Sequence, residues 1–340
     1  MNTTIVNQDI ILDHGTGARL SRELVELSAE LLGDVYVGEM EDAAIVRAAD
    51  GPLAVTTDSF VVDPPFFGNG DIGKVAVCGT VNDLAVLGAE PRYLTLGVIL
   101  ETGLPIARYA AVLRSVAAAA REAGVVIVAG DTKVVRPGEA DQIYLNTTGI
   151  GTFRRPPLRM AHVAVGDSIL LTGPLGNHTV HLLSVREGLG FERDVLSDCA
   201  PLNGLMDAVL RSPYGRAVHS VRDVTRGGLT AVLHEYAAAT GLTPHLTEET
   251  LPIERPVRMA CDMLGINPMN AANEGCLCLF VEPSAADGVL GVLRGHPYGG
   301  HAAHVGTMTE GDGHGVRITR PDGRTDSIDE LQGAELPRLC

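Results

Sequence analysis

Val125-Val126-Ile127-Val128-Ala129-Gly130-Asp131-Thr132-Lys133 is the stretch on which the fold turns. Its apolar, β-branched start predicts a strand over 125–129 that is buried on both faces. Gly130-Asp131 ends the run and leaves Asp131, Thr132 and Lys133 as polar groups just beyond a buried strand. Upstream, Ile106 to Ala123 reads as an Ala-rich helix and Tyr93 to Ile99 as a strand. Asn69 to Leu87 reads as a long buried helix, Pro52 to Val62 as a strand, and Ser21 to Leu32 as a helix behind a mobile lead. Glu41 to Val46 leads into a further strand, and Gln142 to Ile150 is another. Arg154-Arg155-Pro156-Pro157 is Pro-rich and charged, the pattern of a linker, and the alternation restarts after it. Strands are expected at Asp167–Leu171, His219–Val224, Cys276–Val281 and Ala303–Gly306. Helices are expected at 177–187, 203–211, Leu229–Ala239 and Ala285–Leu293. The class is α+β (mixed α/β) in two domains, with the strand order not legible from the pattern.

The chain has 340 residues, 45% hydrophobic and 20% charged, which suits two buried cores. A formal net charge of −16 argues against a nucleic-acid or anionic-membrane surface. It leaves a nucleotide open, because carboxylates bind one through divalent metals. The start shows no basic and apolar signal pattern, and no apolar run is long enough for a membrane span. Six cysteines stand at 78, 199, 261, 276, 278 and 340 without a C-x-x-C pair. They read as reduced thiols of a cytoplasmic protein, mostly small buried groups. Cys340, after Pro337-Arg338-Leu339, reads either as a frayed end or as a nucleophile on a short arm.

The strongest internal signal is a set of acidic residues, each at or just past an apolar segment: Asp42, Asp58, Asp83 and Asp131. Asp83 lies in the nearly uncharged stretch Ile72 to Gly88, where a carboxylate is costly unless paired or metal-bound. Converging aspartates suit Mg²⁺ on a nucleotide, since hard cations take oxygen ligands and share phosphates; the alternative is four separate caps and turns. Gly68-Asn69-Gly70-Asp71-Ile72-Gly73-Lys74-Val75 imitates a P-loop but carries Val75 where a Ser or Thr hydroxyl is required. Lys133 can hold phosphate or act as a base. As a base it must lose roughly three pKa units, about 4 kcal/mol, which makes pairing the easier role. Arg222-Asp223-Val224-Thr225-Arg226-Gly227-Gly228 is a turn opening a helix, able to take an anion or simply to turn. Glu274 in Asn273-Glu274-Gly275 is a candidate acid or base, or a turn residue. His14-Gly15-Thr16-Gly17 reads as a flexible glycine-rich loop over phosphates.

Taken in order, these segments resemble the HypE family of hydrogenase maturation proteins, within the PurM-like ATP-binding superfamily. The resemblance rests on His14-Gly15, Thr56-Thr57-Asp58-Ser59-Phe60, Gly73-Lys74, Cys78-Gly79-Thr80, Asn82-Asp83 and Gly130 to Val135. It continues through Arg222 to Gly228 and Ala272-Asn273-Glu274-Gly275 to the closing Pro337-Arg338-Leu339-Cys340. In the first loop His14-Gly15-Thr16-Gly17-Ala18 stands where the family usually has His-Gly-Ser-Gly-Gly, and Ala18 puts the geometry of that loop in question. The resemblance implies a PurM-like fold: a mobile segment and helix over 1–40, an ATP-binding β-sheet domain over 41–153 that dimerises into a barrel, an α/β domain over 160–330, and a flexible tail over 331–340. It implies ATP and Mg²⁺ as cofactors. Asp42, Asp58, Asp83 and Asp131 would be metal ligands, and His14, Gly15, Lys133 and Asp223 would join them around the nucleotide. The implied reaction is ATP-dependent dehydration of an S-carbamoyl group on Cys340 to an S-cyanate, with Glu274 as the preferred base and Lys133 as the second candidate. The implied partners are the carbamoyltransferase HypF as donor, the HypC–HypD iron scaffold as acceptor, and a second copy of the chain. Another PurM-like enzyme acting on a free small molecule is the alternative, and a non-catalytic ATP-gated scaffold is a third reading.

Overall fold

The computed structural model describes residues 8–15, 19–37, 44, 46, 50–311 and 315–331. Of Glu41–Val46, expected to lead into a strand, only Ala44 and Val46 are described and neither lies in a strand; Asp42, Ala18 and Cys340 lie outside these residues. The chain divides into two compact units. One holds the described residues up to Leu84 together with Glu90–Phe153; the other holds Ala85–Ala89 and the described residues from Arg154 onward.

In the first unit, α1 (Arg19–Leu32), β1 (Leu53–Phe60) and α2 (Ile72–Val86) precede β2 (Ala89–Glu101), α3 (Ile106–Ala123), β3 (Val126–Val135) and β4 (Ile143–Phe153). The four strands form one sheet in the order β1-β4-β2-β3. β1 and β4 are antiparallel, with Asp58 opposite Thr147. β2 and β3 are parallel, as a crossover through α3 demands, with Gly97 opposite Asp131. Alternate residues Leu94, Leu96, Val98 and Leu100 of β2 are buried against the helices, and so are Tyr109, Leu113 and Val116 of α3. In α2 every residue is buried except Lys74, Gly79 and Asp83, which are half-buried. The low charge of that stretch is thus the signature of a helix covered on nearly all sides.

Two boundaries differ from expectation by four residues or more. β3 runs six residues past Ala129 to Val135, because parallel pairing with β2 continues from Gly97 to Glu101. Gly130-Asp131-Thr132-Lys133 therefore lies within a strand, and its polar side chains mark exposure rather than a chain reversal. β2 begins at Ala89 rather than Tyr93; Pro91 reads as a strand breaker in sequence, but a proline is accommodated near a strand's start.

The second unit contains β5 (Ser168–Leu171), α4 (Asn177–Glu187), α5 (Asn203–Arg211), β6 (Val218–Asp223), α6 (Gly228–Thr240) and β7 (Thr243–Thr247). It continues with α7 (Arg255–Leu264), β8 (Leu277–Val281), α8 (Ala286–Arg294), β9 (Ala303–Thr309), β10 (Val316–Thr319) and β11 (Thr325–Ile328). Its sheet has the order β11-β10-β7-β9-β5-β8-β6. β8 is buried at all five positions because both faces of the sheet are covered. Leu277, Leu279 and Val281 join one core with residues of α5 and α8, while Cys278 and Phe280 join the other with residues of α6. Phe280 stacks on Tyr236 at 3.9 Å between ring centroids. Among the described residues no helix is long and apolar enough to cross a membrane.

Candidate active-site residues

Asp58 and Asp83 are held by threonine hydroxyls where β1 packs on α2. Thr56 donates to Asp83 Oδ2 at 2.7 Å, and Thr80 donates to Asp58 Oδ2 at 2.9 Å. Thr56 and Asp58 lie two residues apart on β1, hence on one face of it; Thr80 and Asp83 lie about one turn apart on α2. The two bonds therefore cross-link strand and helix and place both carboxylates along one seam. Thr147 extends the network: its hydroxyl lies 2.5 Å from that of Thr80 and also reaches the Ala76 carbonyl at 3.1 Å.

Asp131 and Lys133, two residues apart on β3, point to the same side and form an exposed ion pair at 2.7 Å. They border a cavity of about 500 Å³ that reaches between β3 and α1, with His14, Gly15, Ser28 and Tyr109 in its wall. Ser28 Oγ and Tyr109 Oη bond at 2.8 Å. Gly15 is required by close approach, since a Cβ there would lie 3.0 Å from that of Val134. His14 is buried, and its Nδ1 accepts the Ile11 N–H at 3.0 Å. Nδ1 also lies 3.3 Å from the Ile11 carbonyl oxygen, and Nε2 has no hydrogen-bond partner among the described residues. Among the described residues no three acidic, His or Cys side chains gather as a metal cluster.

The P-loop imitation resolves into a helix cap. Asp71 Oδ1 accepts the N–H groups of Gly73 and Lys74 at 2.8 and 3.1 Å. The start of α2 is thus occupied by the chain's own carboxylate, which burial pushes above the ordinary aspartate pKa.

In the second unit the Asp223 turn and the Glu274 loop are stitched together by backbone. Asn273 N donates to the Val224 carbonyl and Val224 N to that of Cys276, each at 2.9 Å. Thr225 donates to Asp223 Oδ2 at 2.9 Å. Gly227 and Gly228 both have positive φ, and a Cβ on Gly228 would lie 2.4 Å from the Met269 carbonyl oxygen. Glu274 is buried, 6% exposed. The structure thus joins Asp58 with Asp83, Asp131 with Lys133, His14 and Gly15, and Asp223 with Glu274. Thr56, Thr80 and Asn273 do holding work that the acidic pattern alone did not single out as theirs.

The other thiols stand apart from this chemistry. Cys78, Cys199, Cys261, Cys276 and Cys278 are all free and buried. Desolvation raises the pKa of Cys261 to about 11 and of Cys276 to about 12, and pushes that of Cys278 well above the ordinary thiol value.

Comparison with known proteins gives the class first. Residues 40–153 match the family described as AIR synthase related protein, N-terminal domain, and residues 164–319 match its C-terminal domain. The fold is accordingly the two-domain PurM-like one. A carbamoyl dehydratase HypE of Azotobacter vinelandii is 42% identical over 337 residues, 98% of each chain. A HypE crystal structure in complex with ATP superposes with a TM-score of 0.92 at 41% identity, covering 97% of this chain and 99% of that one. The HypE chain of a HypE–HypF complex gives 0.79 at 39% identity, covering 92% and 100%. The chain belongs to the HypE family.

Proposed function

We propose that this chain is an ATP-dependent carbamoyl dehydratase of [NiFe]-hydrogenase maturation, which converts S-carbamoyl on Cys340 into S-cyanate. The observation that carries the reading is the near full-length likeness to carbamoyl dehydratases in a chain that carries Lys133, Glu274 and a closing Cys340. The buried state of the five other thiols supports it, since none of them is placed to carry a substrate.

An amide oxygen is a poor leaving group. The carboxamide oxygen attacks the γ-phosphorus of ATP, ADP departs, and the nitrogen loses one proton, giving an O-phosphorylated imidate. The C–O bond then breaks, phosphate leaves with its electron pair, and the second N–H proton is lost as the C≡N bond forms. The net change consumes carbamoyl thiol and ATP and yields thiocyanate, ADP, phosphate and one proton. Such phosphoryl transfer needs positioning and charge neutralisation more than covalent help. Lys133, exposed and ion-paired, suits the phosphates. Glu274, a carboxylate, suits proton removal without first losing a proton of its own.

His14, whose buried Nε2 has no hydrogen-bond partner among the described residues, lines the cavity beside Lys133 and supports nucleotide placement there. The all-oxygen donors of Asp58 and Asp83, with Asp131 and Asp42, fit Mg²⁺ in kind; the ion would neutralise phosphate charge. Asp223 is a further candidate for nucleotide binding. HypF would load the carbamoyl group, the HypC–HypD scaffold would take the cyano group to iron, and the protein would work in the cytoplasm. A homodimer through the first unit is supported by its edge strand β1, where Leu53 and Val55 are 50% and 63% exposed.

Mass spectrometry of the C-terminal peptide after carbamoylation tests the reading: ATP should remove the mass of one water from Cys340. No loss with ATP bound leaves only a scaffold. If E274Q dehydrates fully while Lys133→Ala binds ATP without dehydrating, the two roles are exchanged.

A further inference from the structure

The loop that carries Glu274 is gripped by a residue that no sequence motif announces. Asp198 Oδ1 accepts the backbone N–H of Glu274 at 3.0 Å, and Asp198 Oδ2 accepts from the Asn273 side-chain amide at 2.7 Å. The approach is so close that a Cβ on Gly275 would lie 1.8 Å from the Asp198 carbonyl oxygen. Neutral partners complete the grip. The Asn273 amide also donates to the Pro174 carbonyl at 2.9 Å, and its oxygen accepts the Gly176 N–H at 3.1 Å. Thr179 fixes the Ala272 carbonyl at 2.9 Å.

Among these anchors Asp198 alone brings a formal charge, and it alone bonds the N–H of Glu274 itself. A carboxylate only accepts, so it fits two donors converging from one loop, and ionised acceptors make the shorter and stronger bonds. Burial works against it, raising its pKa in spite of the donors. A half-buried carboxylate is a costly way to hold a loop whose other ties are neutral. Tight placement matters most for the residue at its tip, because a misplacement of about 1 Å in a reacting group can cost on the order of a hundredfold in rate.

We propose that Asp198 is the positioning residue of Glu274, fixing the backbone from which the Glu274 carboxylate reaches the carbamoyl nitrogen; this rests on Glu274 being the base. In the step it serves, the N–H proton passes to Glu274 while the C–O bond to phosphate breaks. Asp198 gains and loses nothing.

The test is D198N in the full-length protein, followed by single-turnover mass spectrometry of the carbamoylated tail. Asparagine keeps the shape but sets an NH₂ against one of the two donors. Expected is a fall of at least about tenfold in the dehydration rate, with the ATP concentration for half-saturation unchanged within about twofold. On an E274Q background D198N should cost less than about twofold, because the group it positions is already gone. Equal losses in both backgrounds, or a matching loss of ATP affinity, mark a merely structural role and overturn the inference. A full rate in D198N alone also overturns it and leaves the base reading standing. A full rate in E274Q removes the base reading and this inference together. Should D198N not accumulate folded, D198S, which adds no opposing donor, carries the same measurements.

Discussion

If Cys340 carries the substrate, it must react in the folded protein while the five other thiols do not, and alkylation reads this directly. The perturbation is a limiting dose of iodoacetamide at pH 7.5. Relative to a thiol at 9.0, Cys261 at about 11 and Cys276 at about 12 hold about a hundredfold and a thousandfold less thiolate. A more basic thiolate is the better nucleophile, with a Brønsted slope of roughly 0.45, which returns part of this and leaves net factors of about 10 and 50. Access adds more. Cys276 precedes β8 and Cys278 sits within it between covered faces, 2% and 0% exposed, so each must wait for the sheet to open. Every 1.4 kcal/mol of that opening is about another tenfold. Cys261 lies on α7, whose Met259 and Met263 are more than half exposed, and should follow Cys340 at a distance. Peptide mapping over time should therefore show Cys340 first, Cys261 far behind, and Cys276 and Cys278 only in denaturant. The labelled protein should no longer accept carbamoyl. Labelling of Cys276 or Cys278 as fast as Cys340 in folded protein would refute both the burial argument and the choice of carrier.

Three further outcomes follow from particular contacts. Thr56→Val removes the donor to Asp83 and leaves a half-buried carboxylate short of a bond; denaturant melts should show a loss of about 1–3 kcal/mol, and ATP affinity should fall with it. Gly275→Ala drives a methyl into the Asp198 carbonyl, so the loop must shift, and dehydration should be lost even where circular dichroism shows a folded protein. Burial lowers the His178 pKa from 6.5 to about 3, so its protonation favours the unfolded state, and stability present above neutral pH falls as pH drops through 6.5. The loss attributable to His178 by pH 5.5 is about 1.4 kcal/mol, and in H178Q the difference in unfolding free energy between pH 8 and pH 5.5 should shrink by that much.

How far the sequence reaches into this molecule depends on how far apart the interacting residues lie along the chain. Ile106–Ala123, 177–187 and 203–211 are helices at the expected residues, because apolar spacing within a single helix is a local signal. The β3 boundary was not local: its extension to Val135 is dictated by Gly97 to Glu101 on β2. Thr243–Thr247, Arg255–Leu264 and the last two strands carried too little apolar contrast, or a proline too near their start, to stand out. The site divides the same way. Asp58, Asp83, Asp131 and Glu274 are visible because a carboxylate beside an apolar run is locally anomalous. Their supports are ordinary residues in ordinary company: Thr56 answers Asp83 across 27 residues, Thr80 answers Asp58 across 22, and Asp198 reaches Glu274 across 76. Asp198 sits in Ser197-Asp198-Cys199-Ala200-Pro201, which reads as a loop before a helix, and nothing there signals that two donors will converge on it. Gly275 is the one local trace of the contact. It is spelled out beside Glu274, but its reason, the Asp198 carbonyl where a Cβ would stand, exists only once the chain has folded. A charged residue that acts through a neighbour's backbone leaves no motif of its own, and it is found by asking what holds the visible one.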